Sequence, residues 1–374
     1  MTSGPIPLLY VITDSGVGGS EKVLLTLLKN LNRELVRPVG VLVLKGKREM
    51  ATEWEACGVP VEALGMRSFP TPTMFWNARH FLNATRPRIV HAFLYHAVQT
   101  MRILTICRPS FRLIGSPRVN YRFLPKPALW LDRLIKSRDT LALCESRATA
   151  FFLTEALHYH QEKIAVVSNG VDRETYQFNA EARMSLRREW GIADADILVG
   201  SAGRFHPQKG YDVLIRAAQQ LTDGPSGLKF VLAGKGPEEK TLKKLAESQS
   251  SRFLFLRERE DIPQFLSALD IYVQSSRYEG MPNALLEAMS VGCACLATAV
   301  DGTLDLAEDG KNMRLVKPED PSALADAIRF LAENPDQRKL LADQAKMTAQ
   351  NFSVDKMVKG FEQVYLEALK NPSD

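Results

Sequence analysis

Short apolar runs recur along the chain, each closed by a loop and followed by a stretch in which apolar residues return every three or four positions. That alternation predicts buried parallel strands joined by amphipathic helices. In the first half, strands are expected at Leu8–Ile12, Val39–Leu44, Val61–Leu64, Ile89–Ala92, Arg112–Ser116 and Ile164–Ser168. Helices are expected where Val23, Leu24, Leu27, Leu28 and Leu31 share a face, near 73–85, and after Ala97. The alternation then restarts, with strands at Ile197–Ala202, Leu228–Ala233, Phe253–Leu256 and Ile271–Gln274 and helices at 262–269, 335–350 and 354–370. Pro282 suits the first turn of a helix, where its missing N–H has no partner to lose, so one more helix is expected to begin near 282.

At 374 residues the chain exceeds what one hydrophobic core usually supports, so two domains are expected. Asn169-Gly170 is strong turn chemistry between the two alternations, and the boundary is placed there: 1–168 and 169–353. No apolar run approaches the roughly 18 residues needed to span a bilayer, and Met1–Gly16 lacks the basic start and apolar centre of a signal peptide, so cytoplasmic residence is expected. Five cysteines, Cys57, Cys107, Cys144, Cys293 and Cys295, read as reduced thiols; the lone C-x-C has no second pair to complete a zinc site.

Charge is uneven. Residues 1–175 carry 23 Lys/Arg against 14 Asp/Glu, net +9, and the remainder 25 against 29, net −4, giving the total of +5. A basic first half suits an anionic surface or acceptor, whereas the scattered positions and the lack of an aromatic-basic motif argue against nucleic acid. Pro127–Arg138 sets Leu129, Trp130, Leu134 and Ile135 among basic residues, which fits either ordinary core packing or a helix lying on anionic lipid headgroups.

Candidate chemistry gathers at strand ends. Glu279 and Glu287 flank the start of the helix expected near 282, whose N-terminus attracts an anion such as phosphate. Gly203-Arg204-Phe205-His206-Pro207-Gln208-Lys209-Gly210 follows a strand, and an arginine fork with a lysine point charge can neutralise a diphosphate. Gly16-Val17-Gly18-Gly19-Ser20-Glu21 lets a backbone approach an anion closely. It is not the dinucleotide fingerprint: the spacing differs, and the next strand ends in Lys45-Gly46-Lys47 where an acid is required. His91 and His96 stand at the carboxyl end of a strand, where open α/β sheets place ligands, and either could serve the site or packing. Asp194-Ala195-Asp196 precedes a strand and reads as a polar turn rather than a metal motif.

The run Glu279-Gly280-Met281-Pro282-Asn283, with Leu285 and Glu287-Ala288-Met289, closely resembles the donor-site signature of glycosyltransferase family 4, retaining enzymes of GT-B fold. The elements Gly203-Arg204…Lys209-Gly210, Ala233-Gly234-Lys235-Gly236-Pro237-Glu238 and Gly18-Gly19-Ser20-Glu21 resemble further parts of that family. The resemblance implies two Rossmann-like α/β domains facing a cleft, with the helix 354–374 crossing back to the first. It implies a nucleoside-diphosphate-sugar donor, with a UDP-sugar expected, and a glycan or lipid-linked acceptor in bacterial surface polysaccharide or lipopolysaccharide synthesis.

The donor-binding set it implies is Gly18, Gly19, Gly203, Arg204, Lys209, Gly234, Glu279, Gly280, Met281, Pro282, Asn283, Ala284 and Glu287. His96, Glu279, Arg204 and Lys209 would be catalytic, and His91, Arg118 and Asn120 are acceptor-side candidates. No cofactor or metal is expected, and the protein could sit peripherally at the inner face of the cell membrane. Phe93 stands where many members have a second histidine, and Asp301-Gly302-Thr303-Leu304-Asp305 replaces a more usual Gly-Gly-x-x-Glu. These departures are the support for an alternative, a catalytically silent nucleotide-sugar-binding scaffold.

Overall fold

The computed structural model describes residues 4–67, 71–107, 111–118, 124–221 and 227–370, with the side chain of Cys107 outside the description. The chain divides into two compact units, one of residues 1–169 with 354–374 and the other of 170–353.

In the first unit the order is β1 (Ile6–Ile12), α1 (Gly19–Asn30), β2 (Val36–Val43), α2 (Glu49–Ala56), β3 (Val61–Ala63), α3 (Pro72–Thr85), β4 (Ile89–Phe93) and α4 (Tyr95–Leu104). There follow β5 (Arg112–Ser116), α5 (Lys126–Ile135), β6 (Leu141–Cys144), α6 (Arg147–Leu157) and β7 (Ile164–Val166). The seven strands form one parallel sheet in the order β3-β2-β1-β4-β5-β6-β7. The strand order therefore reverses between β1 and β4, the crevice where ligands enter open α/β sheets. Every side chain of β4 is buried, as a parallel strand covered on both faces requires.

The second unit contains α7 (Ala180–Glu189), β8 (Ile197–Ala202), α8 (Tyr211–Gln219), β9 (Leu228–Ala233), α9 (Glu239–Leu245), β10 (Phe253–Leu256), α10 (Ile262–Ala268) and β11 (Ile271–Gln274). It continues through α11 (Asn283–Val291), β12 (Ala294–Thr298), β13 (Arg314–Val316), α12 (Pro321–Glu333) and α13 (Pro335–Ala349). Its six strands are parallel in the order β10-β9-β8-β11-β12-β13, so its reversal lies between β8 and β11. Helix α12 illustrates the local causes: Asp320 accepts a hydrogen bond from the Ala323 amide at 2.9 Å, Pro321 follows, and Leu324, Ile328 and Leu331 form the buried stripe. Asp196 likewise serves its turn, accepting from the Ala193 amide at 2.8 Å.

The last helix, α14 (Val354–Lys370), belongs to the first unit. Met357, Val358, Phe361, Val364, Tyr365 and Ala368 repeat at helical spacing and are buried in the core that also holds Tyr10, Val23 and Leu27. Among the described residues no helix is long and apolar enough to cross a membrane. Cys144, Cys293 and Cys295 are buried free thiols, and burial pushes Cys293 up to about 12.

Two expectations need correction. The helix after Glu279 begins at Asn283, with Pro282 as its N-cap at φ −81° and ψ 98° rather than inside its first turn. In α5, core packing accounts for Leu129, which lies against a buried cluster, but not for Trp130 and Leu134, which are 64% and 60% exposed.

Candidate functional site

The geometry is built at the two strand-order reversals, described unit by unit. In the second unit, β8 runs into the loop 203–210 and β11 into the loop 275–282, the two loops that flank the reversal. Lys209 Nζ on the first loop lies 2.6 Å from Glu279 Oε1 on the second. Ser276 Oγ donates to the same oxygen at 2.6 Å, so both bonds converge on one side of a carboxylate that is 5% exposed.

Further bonds hold the loops in register. Ser275 Oγ donates to Lys209 O at 3.1 Å, Gln208 Nε2 to Tyr278 O at 3.0 Å, and the Arg277 amide to Gln208 O at 2.7 Å. Arg277 also grips Asp212 through two bonds of 2.9 Å, a bidentate pair that fixes the loop against α8.

Close backbone approaches explain the glycines. Gly210 has φ +61°, and a Cβ there would lie 2.1 Å from Ser275 O. A Cβ on Gly302 would lie 1.6 Å from Gly280 O, so the loop after β12 seats directly against the Glu279–Met281 turn. The Asp301-Gly302-Thr303 departure thus keeps a glycine where the contact demands one, and buried Thr303 is bonded to Gln274 Nε2 at 3.0 Å. Gly234 approaches Gly203 in the same manner, with a hypothetical Cβ 2.0 Å from Gly203 O.

Helix α11 starts immediately beyond, its positive end at Asn283 and Ala284 and no acid in its first turn. Met281 is buried, and Glu287, one turn further, is hydrogen-bonded by the Tyr176 hydroxyl. Burial, then Glu287, raise the Tyr176 hydroxyl far above its usual range, so it stays protonated and can only donate to the carboxylate. Arg204 is exposed at the mouth of its loop. His206 is held below the usual histidine range by burial and then by the Arg204 charge, and its Nδ1 accepts from the Gln208 amide at 3.3 Å.

In the first unit, Gly18 caps α1 and Gly19 opens it. Glu21 folds back on that cap: a Cβ on Gly18 would lie 2.4 Å from its Oε2. Buried at 8% exposure, its carboxyl is raised to about 7, burial being the main cause. The loops after β1 and β2 are joined, with Ser15 Oγ donating to Gly46 O at 3.0 Å and accepting from the Arg48 amide at 2.8 Å. Thr13 Oγ1 accepts from the Ala97 amide at 3.3 Å, tying the glycine loop to the start of α4.

The two histidines separate cleanly. His91 is fully buried, with Nδ1 2.9 Å from Tyr365 Oη and Nε2 2.8 Å from Ser116 Oγ, so it anchors α14 to the sheet. His96 is exposed at the first turn of α4 and is held below the usual histidine range by partial burial and then by Lys45. Of the other acceptor-side candidates, Arg118 is buried, with Nη2 2.6 Å from Asn169 Oδ1 and its guanidinium 5.8 Å from the Phe93 ring centre. Asn120 lies outside the described residues.

Burial, and then Arg118, hold the His91 imidazole well below the ordinary 6.5, so folding binds fewer protons there than the unfolded chain. Its stabilising contribution is complete above that value and is lost as pH falls through it toward the lower folded value. Glu21, raised on folding to about 7, contributes the opposite slope over part of the same range, so the His91 contribution is read as a difference: on acidification below about 6.5 the urea midpoint of wild type should fall relative to that of His91→Gln, by up to ~1.4 kcal/mol per pH unit. A difference that stays constant with pH would remove His91 as the source.

The family model for Glycosyltransferase Family 4 matches residues 17–175, and that for Glycosyl transferases group 1 matches residues 183–348. The chain belongs to glycosyltransferase family 4. A D-inositol 3-phosphate glycosyltransferase of Corynebacterium urealyticum is 30% identical over 246 residues, 63% of this chain and 58% of that protein. A UDP-Gal:alpha-D-GlcNAc-diphosphoundecaprenol alpha-1,3-galactosyltransferase of Escherichia coli is 25% identical over 248 residues, 65% of this chain and 64% of that one. The matched part spans less than two thirds of either relative's own length.

Among solved structures, Anabaena HepE in complex with UDP-glucose has a TM-score of 0.85 at 22% identity, covering 97% of this chain and all of that one. Sucrose-phosphate synthase from Thermosynechococcus elongatus has a TM-score of 0.82 at 16% identity, covering 98% and 99%. These likenesses show the fold, the GT-B type of two Rossmann-like α/β units.

Within this family-4 chain, sequence reasoning left several site-shaping residues unassigned. Ser276 and Arg277 carry no motif of their own, and their partners lie in other segments. Glu21 closes the run Gly18-Gly19-Ser20-Glu21, and its position three residues beyond a cap is the signal for its inward turn. The Lys-Gly pair at 209–210 signalled a left-handed cap.

Proposed function

We propose that this protein is a retaining glycosyltransferase that moves a sugar from a UDP-sugar to a saccharide or lipid-linked acceptor of the bacterial cell surface, working at the inner face of the membrane. The observation that carries this reading is the Lys209–Glu279 pair spanning the reversal between β8 and β11 at the head of α11. An ammonium and a carboxylate held 2.6 Å apart there offer one group for phosphate oxygens and one for sugar hydroxyls. Support for the donor and acceptor classes comes from HepE, bound to UDP-glucose, and from the Escherichia coli relative, whose name gives alpha-D-GlcNAc-diphosphoundecaprenol as the acceptor.

On this reading Arg204, Lys209 and the amides at the start of α11 stabilise the diphosphate as its bond to the anomeric carbon breaks. Glu287 receives the ribose hydroxyls and Glu279 orients the sugar, and His96, exposed on the first unit, is the histidine assigned to the reaction. The acceptor oxygen forms the new bond on the face the diphosphate leaves, and its proton passes to a phosphate oxygen, giving UDP and the glycoside. The charge on Arg204 and Lys209 makes a metal unnecessary in this scheme.

Real-time proton NMR of a transfer reaction from an α-linked UDP-sugar tests it. An α-glycoside as first product agrees with retention, and a β-glycoside would overturn it.

A further inference from the structure

Helix α5 leaves a large part of its apolar surface in solvent. Pro127, Trp130, Leu131, Leu134 and Arg138 follow the spacing of a single helical stripe, and all five are exposed, Trp130 at 64% and Leu134 at 60%. The inward face holds Leu129, packed against the core, and Asp132, the one acid of the segment 126–138, 3% exposed. It is secured by Arg102 on α4, whose Nη1 lies 2.5 Å from Asp132 Oδ1. The same guanidinium binds Asp139 Oδ2 at 2.6 Å and is bonded to the Tyr159 hydroxyl.

The consequence for charge is direct. With Asp132 buried and paired with Arg102, the outer surface of this segment presents the exposed Lys126, Arg133 and Arg138 beside the apolar stripe, with no acid of its own. Arg133 and Lys136 reach to the carbonyls of Ala156 and Leu157 at 2.7 and 2.6 Å, which ties α5 to the end of α6 without neutralising either cation. An exposed tryptophan and leucines flanked by cations match a bilayer interface, where rings and aliphatic chains enter the headgroup boundary and cations meet anionic phosphates.

We infer that the outer face of α5, centred on Trp130 and Leu134, docks this protein on anionic lipid bilayers. This rests on the membrane-facing part of the function proposed above, and it names the surface responsible. The commitment to lipid over a protein partner comes from the charge pattern. Within 126–138 every exposed charge is positive, as a uniformly anionic plane favours, and the nearest exposed acid in sequence is Glu155 of the neighbouring α6.

The test is flotation of the full chain with phosphatidylglycerol-containing and pure phosphatidylcholine vesicles, for wild type and for Trp130→Ser/Leu134→Ser. Wild type should float with the anionic vesicles at low salt, and the variant should partition about tenfold or more weakly, a difference of ~1.4 kcal/mol. The emission of Trp130 should shift to the blue on binding. Equal flotation of variant and wild type, or equal binding to neutral vesicles, would overturn the proposal. So would a dimer in sedimentation that the double substitution dissolves, because the face would then be an interface between copies. UDP binding, read by thermal shift on the same samples, is expected to be unchanged; its absence in both proteins would count against the donor site and leave the lipid result standing.

Discussion

Lys209→Ala is expected to lower kcat/KM for sugar transfer by ~100- to 1000-fold, the usual cost of deleting one preorganised electrostatic contact to a developing anion. The size follows from position. Lys209 closes the loop after β8, is partly exposed, and is fixed by Glu279, Ser275 and Gly210, so its charge is aimed before the donor arrives. In the account proposed here that charge meets the leaving diphosphate, where it matters more in the transition state than in the bound donor. Steady-state release of UDP, measured beside the urea midpoint, separates this from unfolding. Activity within twofold of wild type would remove Lys209 from the machinery.

Arg102→Leu is expected to destabilise the first unit by ~3–5 kcal/mol, the range for breaking a buried ion pair by removing one partner. Burial alone would lower the Arg102 guanidinium, but the Asp139 carboxylate beside it outweighs that and holds it well above its ordinary value. Burial lifts the Asp132 carboxyl above its usual range even so, which marks how costly that charge would be without Arg102. Removing the arginine leaves two acids in a site less than 5% exposed. Urea unfolding followed by Trp54 and Trp130 fluorescence reads the loss. Replacing Asp132 by leucine as well should recover part of it, because one buried charge is then gone. A single-variant loss under 1 kcal/mol would mean that water reaches the cluster.

This network also shows where sequence reading stops. The sequence shows Leu129, Trp130, Leu134 and Ile135 set among basic residues, but not which of them α5 turns inward. That was decided by Arg102, on another helix, taking Asp132 out of solvent. The choice between His91 and His96 was equally closed to inspection, since the partner that settles His91 is Tyr365, 274 positions away.

Where local chemistry suffices, the elements fall where the pattern puts them. β5, β8, β9, β10 and β11 begin and end at the expected residues because each is a short apolar run with polar, glycine or helix-starting residues beyond it. Helix α7 escaped notice because little beyond Leu186 and Arg187 is buried, so it has scarcely any apolar stripe to read. Helix α12, with its capping Asp320, Pro321 and regular leucines, was legible by the ordinary signals and had been passed over.

In the site itself, strand ends, glycine loops and a helix start marked Glu279, Glu287 and Gly18–Gly19 as candidates, and the family resemblance sharpened them into a donor set. The Lys209–Glu279 contact joins residues 70 positions apart, and spacing alone does not predict such a pairing.

The central claim is that the crevice between β8 and β11 binds a nucleoside-diphosphate sugar. It is tested most directly by thermal shift of the wild-type chain against UDP, GDP, ADP and their common sugar conjugates, since a ligand bound only by the folded state raises its stability by mass action. At a concentration 100 times Kd the gain is ~2.7 kcal/mol, enough to move the midpoint by several degrees. The account predicts a shift with UDP and a larger one with a single UDP-sugar, both lost in Lys209→Ala. No shift with any nucleotide or conjugate, in a chain that folds normally, would contradict it.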